Sequence, residues 1–236
     1  MLSLTNRCYK LELLDAANIP FEDIKANMKE LNTINTCLGG HAITITGLKK
    51  ILLNHPKNEP LIICEIGCGG GDNLQAIFNF CIKKNITVQF IGIDIQQACI
   101  DFAKQQYPHL PATWYCNDYS KIDFKIKPSI IFSSLFCHHF LEADIVTMLG
   151  WMKKNSTLGF FINDLHRHWM GYYAIQLLTS IFSKSYLVKN DAPLSVARGF
   201  KKAEWQALFL QAAINTYTIQ WKWAFRHLII FSNAVQ

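Results

Sequence analysis

A chain of 236 residues, half of them hydrophobic and only 17% charged, is long enough for one α/β domain and too apolar to be disordered. Its formal net charge of +6 is dispersed, with no long basic stripe, which argues against nucleic acid as a partner. The eight cysteines include no Cys-x-x-Cys pair, so the sequence predicts free thiols, no metal site and a cytoplasmic location.

The first quarter of the chain is predicted to be helical. In residues 21–38, Ile24, Met28 and Leu31 begin an apolar stripe that recurs at steps of three and four residues. The Gly39-Gly40 pair is typical of the end of a helix, and a second helix is predicted to run from Ala42 to about Pro56.

From Leu61 onwards, short apolar runs alternate with helical segments. Strands are predicted over 61–67, 89–95, 129–136 and 156–165, and helices over 72–85, 97–108 and 142–155. This alternation predicts right-handed crossovers and a parallel sheet with helices on both faces.

The end of the chain departs from this alternation. A helix is predicted over 195–214, followed by two strands over 216–223 and 226–233 that form an antiparallel hairpin at the edge of the sheet. The chain contains no linker rich in Pro, Gly or Ser and no internal repeat, so we predict a single domain.

A cluster of glycines follows the first predicted strand. Glu65, Gly67, Gly69 and Gly71 give the pattern E-x-G-x-G-x-G, and Asp72 stands where the dinucleotide fingerprint G-x-G-x-x-G requires a glycine. Glycines allow the backbone to approach a ligand closely, and the following helix N-terminus favours negative charge. The pattern therefore predicts a small-molecule cradle that is not a dinucleotide site of that type.

This pattern resembles the first motif of the class I S-adenosylmethionine-dependent methyltransferases. The second predicted strand ends in Asp94, where that family has an acid that binds both ribose hydroxyls; "CNDYSKID" and "FSSLFCHHF" match two further segments of the family in the right order. The resemblance covers about residues 60–235. It implies a Rossmann-like, seven-stranded, mostly parallel sheet with the last strand antiparallel, and S-adenosylmethionine as cofactor.

The resemblance also assigns parts of the chain to roles. Residues 1–58 would form an N-terminal helical lid and residues 59–236 the core. The residues expected to bind the cofactor are Glu65, Gly67, Cys68, Gly69, Asp72, Asn73, Asp94, Ile95, Asn117, Asp118, Tyr119 and Ser134.

Histidines are the main candidates for catalysis. Methyl transfer from a sulfonium is an in-line displacement, and a hydroxyl acceptor must lose a proton, for which histidine is the usual base. His166 after the fifth strand is the first candidate, followed by His139 after the fourth strand and by His41 in the predicted N-terminal helical lid. Asp164 is expected to orient a histidine or to act as a base itself.

An apolar segment at about 169–188 is expected to cap the substrate site. It is nearly long enough for a membrane span, but six polar residues interrupt it, so we predict a cap helix and no transmembrane span, with peripheral membrane contact left open. Packing of this helix on the domain, or a dimer interface, is the competing interpretation. The residues expected to contact the substrate are His138, Arg167, Trp169, Tyr172 and Tyr173.

An apolar, aromatic cap favours a hydrophobic small-molecule substrate. The segments "NDLHRHW" and "NDAPLSVARGFKKAEW" resemble bacterial small-molecule methyltransferases of the polyketide type, which implies O-methylation of a phenolic or polyketide-type hydroxyl. Methylation of carbon on an aromatic or quinone-like ring is the alternative reaction. A non-catalytic, cofactor-binding partner protein is the alternative class, and the protein is expected to be a monomer or a homodimer.

Overall fold

The computed structural model describes residues 4–16, 18–54 and 60–233. The predicted helix end near Pro56 and the 58/59 boundary therefore lie outside the described residues. A seven-stranded sheet runs through the centre of the molecule. Its strands are β1 Leu61–Ile66, β2 Val88–Asp94, β3 Ala112–Cys116, β4 Ile130–Ser134, β5 Gly159–Leu165, β6 Thr218–Lys222 and β7 Arg226–Ser232.

The strands are ordered β3-β2-β1-β4-β5-β7-β6. β1 to β5 are parallel, whereas β7 runs antiparallel to both of its neighbours, β5 and β6. The predicted fold class, with a terminal hairpin at the edge of a parallel sheet, is therefore confirmed. The register between β5 and β7 pairs Leu165 with Arg226 and so brings Arg226 to the carboxyl end of β5, where ligands bind in sheets of this kind.

Helices cover both faces of the sheet. They are α1 Phe21–Cys37, α2 Gly40–Ile51, α3 Asp72–Lys83, α4 Gln97–Gln106, α5 Glu142–Asn155, α6 Trp169–Phe182, α7 Tyr186–Arg198 and α8 Lys202–Gln211. One core contains Met148 of α5 and Trp205 of α8, and the other contains Leu48 of α2 and Leu74 of α3. The stripes of apolar residues at helical spacing account for these two layers.

β3 was not predicted from the residues themselves, whose pattern indicates only six strands. It is the edge strand on the β2 side of the sheet, and none of its five residues is buried. Its sequence, "ATWYC", lacks the continuous run of aliphatic residues by which buried parallel strands are recognised. Only the resemblance to a seven-stranded family predicted this strand.

Two predicted helices have different bounds in the structure. The cap helix expected over 169–188 ends at Phe182, and the hydroxyl of Ser185 caps the start of α7. The helix expected over 195–214 is in fact the end of α7 followed by α8. α7 ends at Arg198 with Gly199 as its C-cap, where a Cβ would lie only 2.7 Å from the carbonyl oxygen of Leu165.

The N-terminal region is only partly a lid. α2 packs on the sheet, with Gly47 directly against the ring of Phe161, so it is a core helix. Residues 4–16, which we call the N-terminal segment, lie over the carboxyl ends of the strands. α1 lies there too. Among the described residues, no helix is long and apolar enough to cross a membrane.

Candidate active site

The turn between β1 and α3 is shaped by glycines. Gly67 has a φ of +66°, in the left-handed region that favours glycine, and a Cβ there would overlap the ring of Phe136. The amide of Gly69 donates a hydrogen bond of 2.8 Å to Oδ2 of Asp94, and the amide of Gln96 donates to Oδ1 at 2.9 Å. The carboxylate of Asp94 is thus fixed beside the turn, with lone pairs left for a ligand.

A cleft of about 270 Å³ opens over this turn, and we call it the cofactor cleft. It takes in nine of the twelve residues expected to bind the cofactor. These are Glu65, Gly67, Cys68, Gly69, Asp72, Asn73, Asp94, Ile95 and Ser134.

Glu65 offers a direct test of whether the cofactor fits. Its side chain is buried, Oε1 accepts a hydrogen bond of 2.9 Å from Asn73, and Oε2 has no partner among the described residues. Burial raises the pKa of Glu65 well above its usual value, and the charge of Asp72 adds to this effect. An unpartnered carboxylate oxygen in such a cleft suits an ammonium group, which S-adenosylmethionine carries at its methionine end.

The other three expected cofactor residues do not line the cleft. Asn117 is exposed, although its amide donates a hydrogen bond of 3.0 Å to the carbonyl of Asp94 and so starts its loop beside the cleft. Asp118 caps the short helix that follows, and Tyr119 packs edge-on against Phe136. Their contact with the cofactor stays a prediction.

A second cavity of about 220 Å³ adjoins the cleft, and we call it the chamber. The two share Leu14, Leu31, Asn35, Leu135 and His139 as walls. The rest of the chamber is mostly apolar and is formed by α1, α6, α7 and the β6–β7 turn. Its apolar walls include Ile34, Leu38, Leu165, Ile175, Leu178, Val188, Val196, Trp223 and Phe225.

The chamber continues into a groove between α1 and α6. This groove has a volume of about 360 Å³ and shares Ile34, Leu38, Ile175 and Leu178 with the chamber. Cleft, chamber and groove therefore lie next to one another, from the glycine turn to the space between α1 and α6. A long apolar molecule could lie in the groove and chamber with one end beside the cofactor cleft.

His139 lies where the cofactor cleft and the chamber meet. Its Nδ1 is 3.1 Å from Oδ1 of Asp15, and its Nε2 is 3.8 Å from Oε2 of Glu12. Burial alone would lower the pKa of His139, but the hydrogen bond with Asp15 and the charges of Glu12 and Asp15 outweigh it and raise the pKa above 6.5. The distance from Nε2 to Glu12 is too long for a hydrogen bond, so Asp15 engages Nδ1 while Nε2 stays available as a base.

His138 is held in a similar way but lies deeper. Its Nδ1 is 2.7 Å from Oδ1 of Asp164, and its Nε2 is 3.6 Å from Oε1 of Glu12. Burial would raise the pKa of Asp164, but the neighbouring His138 lowers it below the usual value. Asp164 is fully buried under His138, so in this structure it orients a histidine and does not face the chamber.

Glu12 joins the two histidines. Its Oε1 accepts a hydrogen bond of 2.8 Å from Ser195 and lies 3.8 Å from Nε of Arg198. The ligand atoms of Glu12, His138 and His139 all lie within 4.8 Å of one another, a spacing that a metal ion could span. Arg198 already supplies positive charge to this carboxylate, which favours the expectation of no metal site. That expectation stays a prediction.

Two of the histidines predicted as candidate bases, His166 and His41, line neither the cofactor cleft nor the chamber. His166 lines neither the cleft nor the chamber and lies against the rings of His168 and His227. Burial, with the nearby positive charges, lowers its pKa. His41 bonds to the side chains of Asn73 and Asn32 at 3.0 Å each, so it ties α1 and α2 to the glycine turn.

The predicted substrate contacts are also redistributed. Only His138 of the five faces the chamber. Trp169 and Tyr173 are largely exposed, and α6 turns Gly171, Ala174 and Ile175 towards the chamber. The face of α6 could not be assigned because this helix is apolar on nearly every side. Tyr172, which packs edge-on against Tyr173, also lies outside the chamber lining.

The described contacts of Arg167 are with other residues of the fold. Its side chain is buried, Nη1 donates a hydrogen bond of 2.6 Å to the carbonyl of Gly199, Nε donates to the carbonyl of Leu4, and both terminal nitrogens contact Glu204. It therefore ties the N-terminal segment and α8 to the end of β5, and it does not face the chamber.

We expect Arg167→Gln to lower the free energy of unfolding by about 3 kcal/mol, because it leaves the buried carbonyl of Gly199 and the carboxylate of Glu204 without their partner. Cofactor affinity should be unchanged. Urea denaturation and calorimetry with S-adenosylhomocysteine measure both quantities, with Lys104→Gln, an exposed site on α4, as the control. Weaker cofactor binding with unchanged stability would contradict this structural role.

The acids that face the histidines were not predicted from the sequence. Glu12 and Asp15 precede α1 in "KLELLDA", more than 120 residues away from His138 and His139 in the chain. The one feature of the sequence that could have indicated them is the presence of two acids beside leucines in the predicted lid. Nothing in the spacing connected them with the fourth strand.

Comparisons with known proteins bear on the enzyme class and on the fold. Residues 63–155 match a protein-family model described as a methyltransferase domain, and no curated protein matches the chain. Among solved structures, the plantazolicin methyltransferase BpumL in complex with SAH is 18% identical, covers 90% of each chain and has a TM-score of 0.66.

Two other solved structures show the same fold. A SAM-dependent methyltransferase from Aquifex aeolicus is 14% identical and has a TM-score of 0.60; the match covers 87% of this chain and 96% of that one. The citrinin polyketide synthase CMeT domain is 13% identical and has a TM-score of 0.57; the match covers 79% of this chain and 50% of that one. The family match confirms the predicted enzyme class, and the likenesses confirm the fold.

Proposed function

We propose that this S-adenosylmethionine-dependent methyltransferase transfers the methyl group to a hydroxyl of a hydrophobic small molecule, of the phenolic or polyketide type, with His139 as the base. One observation carries the proposal: an apolar chamber meets the cofactor cleft at a histidine that two carboxylates hold in place. The acceptor would lie in the chamber, with its apolar part extending into the groove between α1 and α6.

The residues present divide the work of the reaction. Glu65 and Asp94 would hold the methionine and ribose parts of the cofactor, which supplies the methyl group on its sulfonium. The apolar walls exclude water and position the acceptor, which accounts for much of the rate increase in a displacement of this kind. His139 would remove the hydroxyl proton at Nε2, while Asp15 holds Nδ1 and stabilises the imidazolium that forms.

The names of the similar proteins support the substrate class. BpumL is described as a plantazolicin methyltransferase and the CMeT domain as part of the citrinin polyketide synthase. Both names refer to natural products, in line with an apolar chamber. Methylation of a ring carbon remains the alternative reaction, because the same histidine could remove the proton that leaves the ring.

The proposal is tested by incubating the protein with methyl-deuterated S-adenosylmethionine and a panel of alkylphenols, resorcinols and hydroxyquinones. Mass spectrometry should show one compound gaining a deuterated methyl group, and fragmentation should place it on oxygen. A methyl group on carbon would establish the alternative reaction. A silent panel with cofactor binding confirmed by calorimetry would exclude this substrate class.

The pH dependence should follow His139. Because the base must be neutral, kcat/KM should rise with pH as His139 loses its proton, at a pH above the ordinary histidine value of 6.5. Asp15→Asn removes a carboxylate that raises this pKa, so the rise should move to lower pH. The pH profile of kcat/KM measures this shift, and Asp101→Asn on the exposed side of α4 serves as control. A profile that Asp15→Asn leaves in place would argue against His139.

A further inference from the structure

Arg226 is a buried cation whose hydrogen-bonding groups are mostly unused. It is the first residue of β7, only 3% of its surface is exposed, and it lines the chamber. Nη2 donates a hydrogen bond of 2.8 Å to Oδ1 of Asn35, whereas Nε and Nη1 have no partner among the described residues. A guanidinium has five N–H donors and does not lose its proton at neutral pH, so leaving these groups unpaired in the interior is costly.

The surrounding fold is built to leave room for this guanidinium. α2 begins with Gly40, and a Cβ at that position would lie 2.9 Å from Nη1 of Arg226. The antiparallel pairing of β7 with β5 fixes the backbone of Arg226 opposite Leu165, another residue of the chamber wall. The side chain is therefore held at the chamber by its strand, by α2 and by Asn35.

The acids that line the same chamber are already engaged elsewhere. Asp191 accepts hydrogen bonds from the amides of Leu13 and Leu14 at 2.8 and 2.9 Å. Glu12 accepts from Ser195 and lies close to Arg198. Neither carboxylate hydrogen-bonds to Arg226. Burial lowers the pKa of Arg226 to about 10, while Asp164 and Asp72 act on it only through their charges.

From this arrangement we infer that the substrate carries a carboxylate, or a similar anionic oxygen group, that binds to Arg226 inside the chamber. An incoming anion would supply the missing hydrogen-bond acceptors and the counter-charge, and charge-assisted hydrogen bonds of this kind are about twice as strong as neutral ones. The inference rests on the proposed hydrophobic hydroxyl substrate, to which it adds an acid group held away from the reacting oxygen.

The anion that binds to Arg226 could instead be the carboxylate on the methionine part of the cofactor. Arg226 lines the chamber and not the cofactor cleft, which favours the substrate. Asn35, its hydrogen-bond acceptor, lines both cavities, so the experiment must measure cofactor and substrate separately.

The test uses two probes that differ only in the acid group, 3-heptyl-5-hydroxybenzoic acid and 3-heptylphenol. Calorimetry at pH 7.5 measures their binding to the protein saturated with S-adenosylhomocysteine, with no methyl transfer needed. The acid should bind at least about tenfold more tightly than the phenol. Arg226→Gln should remove this preference, Arg226→Lys should keep part of it, and the affinity for S-adenosylhomocysteine should be unchanged in both variants.

Three results would overturn the inference. Equal binding of both probes to the unaltered protein would show that the chamber does not select an anion, and this result does not depend on how the variants fold. A tenfold loss of S-adenosylhomocysteine affinity in Arg226→Gln, with its thermal unfolding unchanged, would assign the guanidinium to the cofactor. If neither probe binds, the proposed phenolic substrate class fails and the inference fails with it.

Discussion

Replacing His139 with glutamine is expected to lower kcat/KM by about 100-fold or more while the affinity for S-adenosylhomocysteine stays within a factor of about three. The reason is that a positioned general base contributes about 10²–10⁴ to the rate, and His139 is the histidine that lines both cavities. Glutamine keeps a polar side chain of similar length, so the walls of the chamber should remain in place.

His166→Gln is the matched control for this experiment. His166 also follows a strand end, but it packs against His168 and His227 outside both cavities, so its replacement should change kcat/KM by less than about threefold. Deuterated methyl transfer to the substrate, followed by mass spectrometry, measures both variants. A large loss in His166→Gln with an active His139→Gln would return the base to the position first expected from the sequence.

Asp94→Asn is expected to weaken the binding of S-adenosylhomocysteine by about 10- to 100-fold. The carboxylate already accepts the amides of Gly69 and Gln96, and the remaining lone pairs would accept the ribose hydroxyls. An amide has only one acceptor oxygen and no charge, and hydrogen bonds to charged groups contribute about 1.5–3 kcal/mol each. Isothermal titration calorimetry gives the dissociation constant directly.

The control for Asp94 is Asp101, which lies on α4 and accepts a hydrogen bond from the exposed side chain of Gln97. Asp101→Asn should bind S-adenosylhomocysteine as the unaltered protein does. Thermal unfolding of both variants without cofactor separates lost binding from lost folding. Unchanged binding in Asp94→Asn would remove the basis for the whole assignment of the cofactor cleft.

Much of the cofactor cleft could be predicted because its residues are local in the chain. Glu65, the glycines and Asp72 lie within eight positions, and the strand, turn and helix that position them follow directly from the order of apolar residues. Asp94 lies one strand further along, at the same edge of the sheet. Residues that are close together in the chain can therefore be placed from the predicted strand, turn and helix alone.

The chamber could not be predicted in the same way. His139 meets Asp15 and Glu12 across more than 120 positions of sequence, and Arg226 meets Asn35 across 191. These contacts depend on how α1 crosses the strand ends, which no periodicity within α1 or β7 specifies. The inward face of α6 could not be predicted either, since the helix has apolar residues around nearly its whole circumference.

The position of Glu12 and Asp15 on the N-terminal segment has a consequence for motion as well as for catalysis. Because these two acids raise the pKa of His139, lifting the segment away from the chamber would lower that pKa and release a proton. By thermodynamic linkage, acidification would favour the closed segment and neutralisation of His139 would favour the open one. A proton taken from the substrate during the reaction would thus favour the closed segment, so the exit of product and the loss of the proton would be coupled.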